Sequence, residues 1–127
     1  MIDHVSIAVR DLAGCARFYE KVLAPLGYSR LVARPATIGF GRKYPEFWLN
    51  ERHAMTPVDP DTGTHICLRA SSEEAVRAFH DAAVQGGGRS DGAPGPRVGT
   101  IAGYYAAFIR DPEGNKIEAA TFSAPKS

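Results

Sequence analysis

Two cysteines, Cys15 and Cys67, are all that 127 residues contain. That is too few for a disulfide framework, and their separation is no metal-type Cys-x-x-Cys spacing, so a reducing compartment is expected. Charge of one sign is lacking as well: 15 Lys and Arg against 14 Asp and Glu leave a formal net charge of +1. With no basic stripe in view, neither a nucleic acid nor an anionic membrane is an expected partner. No apolar run is long enough to span a bilayer, and no charged leader with an apolar core opens the chain. The expectation is a soluble, cytoplasmic protein. Low-complexity sequence is confined to Gly86-Gly87-Gly88. The length suits one compact unit with a real core, or two small modules fused through a common sheet.

What the chain does have is an internal repeat. A shift of 61 positions lays Asp3-His4-Val5-Ser6-Ile7 over Thr64-His65-Ile66-Cys67-Leu68, and carries Phe18 onto Phe79, Tyr19 onto His80 and Gly27 onto Gly88. Val5, Ile7 and Val9 alternate with Ser6, Ala8 and Arg10, the period-2 pattern of a strand with one buried face. Asp11 can cap a helix running to about Leu26, with Leu12, Cys15, Phe18, Tyr19, Val22 and Leu23 on its apolar side. Three short β-prone pieces follow, residues 28–34, 37–40 and 46–50. In the second half, residues 64–70 form a strand. Ser71-x-x-Glu74 is a capping-box pattern opening a helix with Ala75, Val76, Phe79, Ala82 and Ala83 inward. The glycine run ends that helix, and residues 90–99, rich in Gly and Pro, read as a loop. Strands over 104–110 and 116–122 then flank a turn at Asp111-Pro112-Glu113-Gly114-Asn115. The expected division is a single domain, 1–127, made of a first module at 1–50, a polar linker at 51–63 and a second module at 64–122.

Strand faces bring chemistry together. If the apolar face of each first strand packs on a helix, the other face carries His4, Ser6 and Ala8 in one half and His65, Cys67 and Arg69 in the other. An antiparallel register around the 111–115 turn sets Arg110 opposite Lys116 and Phe108 opposite Glu118. Tyr104, Ala106, Phe108, Glu118 and Ala120 then share one face, while Tyr105 turns outward. A carboxylate inside a strand needs a cation, a metal or a proton. A lone strand histidine is ordinarily just a hydrogen-bonded polar residue. Two repeat-related histidines with an inward glutamate instead form a facial-triad set, His4, His65 and Glu118, suited to Fe(II), Mn(II), Zn(II) or Ni(II) with positions open for substrate. His80 falls on a helix surface, His53 lies in the linker, and Cys67 reads as packing.

Asp3-His4-Val5-Ser6-Ile7-Ala8-Val9-Arg10-Asp11-Leu12 followed by Phe18-Tyr19, together with Asp111-Pro112-Glu113-Gly114-Asn115-Lys116-Ile117-Glu118, resembles the vicinal oxygen chelate superfamily. That superfamily groups glyoxalase I, extradiol dioxygenases, fosfomycin-resistance transferases and bleomycin-resistance proteins, and the resemblance covers essentially the whole chain. It implies an α+β fold of two tandem βαβββ modules forming an open, barrel-like mixed sheet with helices outside, around a divalent metal. Ligands would come from the first and last strands: His4, His65 and Glu118. The fourth position, matched through Phe47-Trp48-Leu49 against Ile117-Glu118-Ala119, holds Trp48, which cannot ligate. Glyoxalase I has four protein ligands and an arginine four residues after the first; here that residue is Ala8, and Arg69 takes the repeat-equivalent slot. Fosfomycin enzymes share a tryptophan like Trp48 and a hydroxyl like Ser6, but have a potassium loop and a tyrosine where this chain has Gly95-Pro96-Arg97-Val98-Gly99 and Phe108. Extradiol enzymes need an acid–base histidine, which only His53 could supply.

The resemblance therefore implies a metal-dependent enzyme of lyase, dioxygenase or glutathione transferase type, chelating a small oxygenated substrate. Trp48, Tyr104 and Phe108 would wall the pocket, Ser6 and Arg69 would orient polar groups, and Glu118 and His53 would handle protons. The rival expectation is a metal-free drug- or metabolite-binding protein of the bleomycin-resistance type. A homodimer is expected, in which His4 could join His65 and Glu118 of a partner.

Overall fold

The computed structural model describes residues 1–98 and 102–122. Its elements run β1 (Val5–Val9), α1 (Leu12–Leu23), a short 3-10 turn (Ala24–Leu26), β2 (Ser29–Ala33), β3 (Thr37–Gly41) and β4 (Pro45–Glu51). The second half follows with β5 (Ile66–Arg69), α2 (Glu73–Gln85), β6 (Arg89–Pro96), β7 (Tyr104–Arg110) and β8 (Lys116–Phe122). Hydrogen bonding divides the strands into two four-stranded mixed sheets, ordered β1-β4-β3-β2 and β5-β8-β7-β6. This is the tandem βαβββ, α+β architecture. No helix among the described residues is long and apolar enough to cross a membrane.

Local chemistry explains the element ends. The Asp11 carboxylate accepts from Gly14 N at 3.0 Å and so starts α1. Pro25 tightens the exit, and Gly27 takes the left-handed conformation, φ 86°, that closes it. At α2 the cap is Ser72, whose hydroxyl accepts from Ala75 N at 3.1 Å, one residue beyond the expected Ser71. With Ser72 capping, Glu73 and Glu74 both lie in the first turn, where the helix dipole favours carboxylates.

The expected loop after α2 is a strand. Residues 90–99 read as a loop, but β6 spans Arg89–Pro96, pairing antiparallel with β7 through two register shifts, at Ser90/Gly92 and Gly92/Gly95. The strand lies at the sheet edge, where proline is tolerated because one side needs no ladder bond. Gly99, the end of the expected loop, lies outside the described residues.

A single apolar cluster draws from both modules, with Tyr19, Phe40, Phe47, Phe79, Ile109 and Ile117 all fully buried. Tyr19 sits at its centre, edge-on to Phe18 at 5.0 Å and tilted against Phe47 at 5.1 Å. Its hydroxyl donates to Asp111 Oδ2 at 2.6 Å, tying α1 to the β7–β8 turn. Burial pushes the Asp111 carboxyl up, opposed by hydrogen bonds from Tyr19, Asn115 and the Glu113 and Asn115 amides. Next to it Glu113 accepts from Arg10 Nε and Asp11 N, both at 2.9 Å. The halves are thus joined by apolar packing and by a turn whose polar groups are matched.

Tyr19→Phe should cost about 1–3 kcal/mol, because the buried Asp111 Oδ2 loses one of its two side-chain donors and keeps only Asn115 Nδ2, while packing is preserved. Urea unfolding measures it; an unchanged midpoint would contradict this role of the hydroxyl.

Candidate functional site

The site rests on parallel pairing within each module. β5 lies beside β8 with Cys67 opposite Glu118 and Arg69 opposite Ala120, and β1 lies beside β4 with Ser6 opposite Trp48. Trp48 and Glu118 therefore occupy equivalent places, as the repeat predicts. Between β7 and β8, Tyr104 pairs with Phe122, Ala106 with Ala120, Phe108 with Glu118 and Arg110 with Lys116, matching the register expected from the turn.

His65 and Glu118 come together. His65 Nε2 hydrogen-bonds Glu118 Oε1 at 2.9 Å; the carboxylate side chain is 3% exposed and the imidazole 39%. The Tyr104 hydroxyl donates to Glu118 Oε2. Desolvation, then that hydrogen bond, pushes the Tyr104 phenol well above its ordinary range, so it stays a protonated donor. Cys67 stands beside them, its thiol pushed up to about 12 by desolvation and then by the Glu118 charge. That keeps it a thiol, but the residue is exposed rather than packed in the core as expected.

Aromatic groups and cations surround this pair. The Phe108 ring lies 5.8 Å from the His65 ring, with Lys116 Nζ 5.0 Å and the Arg97 guanidinium 5.3 Å from its centroid. Arg69 lays its guanidinium 4.7 Å over Phe122, whose ring meets Tyr104 edge-on at 4.8 Å. Gly92 lets Phe108 lie flat on the sheet: a Cβ there would stand 2.9 Å from the ring. In the first module Gly39 does the same for Trp48, with ring atoms 3.0 Å from a Cβ.

The first-module residues form their own hollow. His4, Ser6, Trp48 and Asn50 line a space of ≈ 240 Å³ with Arg34 and Thr37. Asn50 Nδ2 donates to Ser6 Oγ, and the Arg34 guanidinium lies 5.7 Å over Trp48. His4 itself pairs with its neighbour, Nδ1 to Asp3 Oδ1 at 2.7 Å, its side chain 54% exposed. His4 and His65 both border a second hollow of ≈ 350 Å³ between β1 and β5, yet His4 does not join the His65–Glu118 pair. Among the described residues, no group of three or more His, Cys, Asp or Glu side chains is placed to hold a metal ion.

His53 stands 79% exposed against Glu51 Oε1 at 3.0 Å and is not among the residues that line these hollows. His80, on α2, bonds Ser90 Oγ at 2.8 Å. Sequence reasoning passed over Asn50, Arg34 and Lys116. Lys116 was within reach, since strand alternation puts it on the Glu118 face. Arg34 and Asn50 carried no such signal, because the loop geometry and the Ser6 contact arise only in three dimensions.

Comparison with known proteins places this geometry in context. The profile of the Glyoxalase/Bleomycin resistance protein/Dioxygenase superfamily matches residues 1–119. Among solved structures, a glyoxalase/bleomycin resistance protein from Albidiferax ferrireducens T118 is similar at 32% identity, with 94% of this chain and 97% of that chain covered and a TM-score of 0.83. A glyoxalase/bleomycin resistance protein/dioxygenase family enzyme from Burkholderia phytofirmans PsJN shares the fold at 18% identity, covering 96% and 98%, with a TM-score of 0.72. So does the genomically encoded fosfomycin resistance protein FosX of Listeria monocytogenes, at 16% identity, covering 97% and 93%, with a TM-score of 0.71. Comparison with curated proteins gives no match.

His65→Ala should destabilise the protein by about 1–3 kcal/mol, since it strips one partner from a buried carboxylate. Adding Glu118→Gln should recover part of that loss, and strictly additive effects in thermal unfolding would contradict the coupling.

Proposed function

The chain belongs to the Glyoxalase/Bleomycin resistance protein/Dioxygenase superfamily, and on that premise we propose that it is a divalent-metal-dependent enzyme acting on a small oxygenated substrate. The observation that carries this reading is the approach of His65 Nε2 to Glu118 Oε1, 2.9 Å, with the carboxylate almost wholly buried. His65 Nε2 and Glu118 Oε1 would be two of the donors that hold a divalent ion, whose charge would lower the cost of burying the carboxylate. Within one chain the fit extends to two of three donors. The third, His4, comes from a second copy, so the functional unit is a homodimer in which the first-module face of one chain meets the second-module face of the other.

When bound, iron, manganese, zinc or nickel in that site supplies Lewis-acid polarisation to substrate oxygens. The protein does the rest. Trp48 and Phe108 wall the cavity and exclude water, Arg69 and Ser6 orient polar groups, and Glu118, buried and hydrogen-bonded, is placed to hold a proton. The reaction belongs to the lyase, dioxygenase or glutathione transferase types. The free thiols Cys15 and Cys67 suit a reducing compartment such as the cytoplasm.

A second reading is favoured by one specific contact. His4 Nδ1 is held by Asp3, while His65 and Glu118 satisfy each other without a metal. On this reading the chain is a binding protein that sequesters a drug or metabolite.

Metal analysis of the purified protein separates the two. The enzyme reading expects close to one equivalent per chain and its loss in Glu118→Ala; less than about a tenth of an equivalent, even after adding Fe(II), Mn(II), Zn(II) or Ni(II), leaves only the binding protein. Sharing between chains is tested by mixing. Neither His4→Ala nor Glu118→Ala should hold metal alone, but mixed dimers should regain about one intact site of every two. No recovery on mixing contradicts the shared site.

A further inference from the structure

The hollow of the first module carries a positive charge that no acid of its own answers. Ser6, Trp48 and Gly39 are Cα partners across β1, β4 and β3, and Asn50 pairs with Thr37 two residues along β4, so Ser6, Trp48, Thr37 and Asn50 share one face. The Asn50 amide donates to Ser6 Oγ, which leaves the serine its own proton to donate. Arg34 follows β2, its N–H donating to Thr37 O at 2.9 Å, while Glu51 N donates to Ala36 O at 2.9 Å and fastens the same turn to β4. Arg10, Arg30, Arg77 and Arg110 each meet a carboxylate, but the Arg34 guanidinium has neither an ion pair nor a hydrogen-bond acceptor among the described residues. No Asp or Glu among the described residues lines the hollow. The acids nearby on these strands, Asp3, Glu46 and Glu51, already have partners in His4, Tyr28 and His53. The polar hollow that His65 borders differs, because Arg110 and Lys116 there both reach Asp91, at 3.0 and 3.3 Å. An anion finds its cations taken in that hollow and a guanidinium open in this one.

We propose that this hollow binds a small flat carboxylate, an aromatic or conjugated acid, with Arg34 holding the anionic group and Trp48 carrying the skeleton. A guanidinium offers a planar fork that meets both oxygens of a carboxylate at once. At 5.7 Å from the indole centroid, Arg34 stands near the outer limit of a cation–π contact, so it is kept beside the ring without covering it. The indole, seated on Gly39, is a flat apolar wall, and flat ligands gain most from such a wall. Ser6 and Thr37 add hydroxyl donors on the same face. The space of ≈ 240 Å³ falls just under the roughly 300–1,000 Å³ of pockets that take drug-sized ligands, so the occupant is smaller than those. The inference rests on the reading of this face as part of a small-molecule cavity and uses no metal ion, so it applies to an enzyme and to a binding protein alike.

Trp48 is the only tryptophan of the chain, so its fluorescence reports on the hollow directly. With EDTA present, benzoate titrated into the full chain should change that fluorescence saturably, and benzamide, the same ring without the charge, should bind about tenfold more weakly. Arg34→Gln should weaken benzoate about tenfold and bring the two ligands level. Arg34→Lys, which keeps the charge and loses the fork, should fall between. Because Arg34 is exposed and its side chain holds no hydrogen bond among the described residues, both variants should unfold thermally with the wild type. A benzoate titration that does not saturate, a preference for benzoate over benzamide that survives in Arg34→Gln, or inorganic phosphate that binds as tightly as benzoate overturns the proposal. Each of these results is obtained without metal, so the metal content of the purified protein stands or falls separately.

Discussion

A first strand that runs parallel beside the last strand of its own module is the constraint on which the rest of this structure depends. The helix and two strands between them exist to make that return possible, since parallel neighbours cannot be joined by a tight turn. Once β5 lies against β8 with Cys67 opposite Glu118, the imidazole of His65, two residues back, shares a face with the carboxylate. Slipping that register by one residue would turn Glu118 toward the helices and Ile117 toward solvent. The hydrophobic face therefore guards the polar one: Ile117 and Ala119, fully buried, fix which way Glu118 points.

The same register depends on where β8 begins, and that is set by the turn before it. Asp111 accepts from the amides of Glu113 and Asn115 and from the side chains of Tyr19 and Asn115, so the turn has essentially one conformation. Because Tyr19 belongs to α1 and Asn115 also donates to Ala8 O at 3.3 Å, the clamp fastens the second module's last strand to the first module's strand and helix. Loss of a matched donor here is felt in both halves, as buried polar groups have no water to turn to.

Much of this was legible in the chain. Alternation in residues 5–9, the 61-position shift and the 111–115 turn were enough for the module plan, for the pairing of Phe108 with Glu118, and for the equivalence of Trp48 and Glu118. Those features are local, and period and turn chemistry report on local structure directly. β6 was missed because Arg89–Pro96 holds two glycines and two prolines, and its strand character comes from an edge position beside β7 that propensity does not register. The α2 cap moved from Ser71 to Ser72 because adjacent serines offer the same hydroxyl, and only the backbone decides between them. The place of His4 was hidden for a deeper reason. Face alternation says which side of a strand a residue occupies, and nothing about how two separate sheets stand toward each other.

The repeat gives the two modules unequal chemical loads. At equivalent places one carries Trp48, resting on Gly39 beneath Arg34, and the other carries Glu118, buried between His65 and Tyr104. A duplicated pair of carboxylates would neutralise a divalent ion on their own. On the metal reading proposed above, one carboxylate with two imidazoles would leave such an ion a net positive charge, which would attract oxygen donors from outside the protein. On the same reading the tryptophan would do more than vacate a ligand position. It turns that position into a flat apolar wall, so the open side of the second-module site would face a surface suited to a substrate skeleton while the oxygens turn toward the charge. On that reading, the asymmetry that makes the chain a poor match to a four-ligand site would also leave it room to bind.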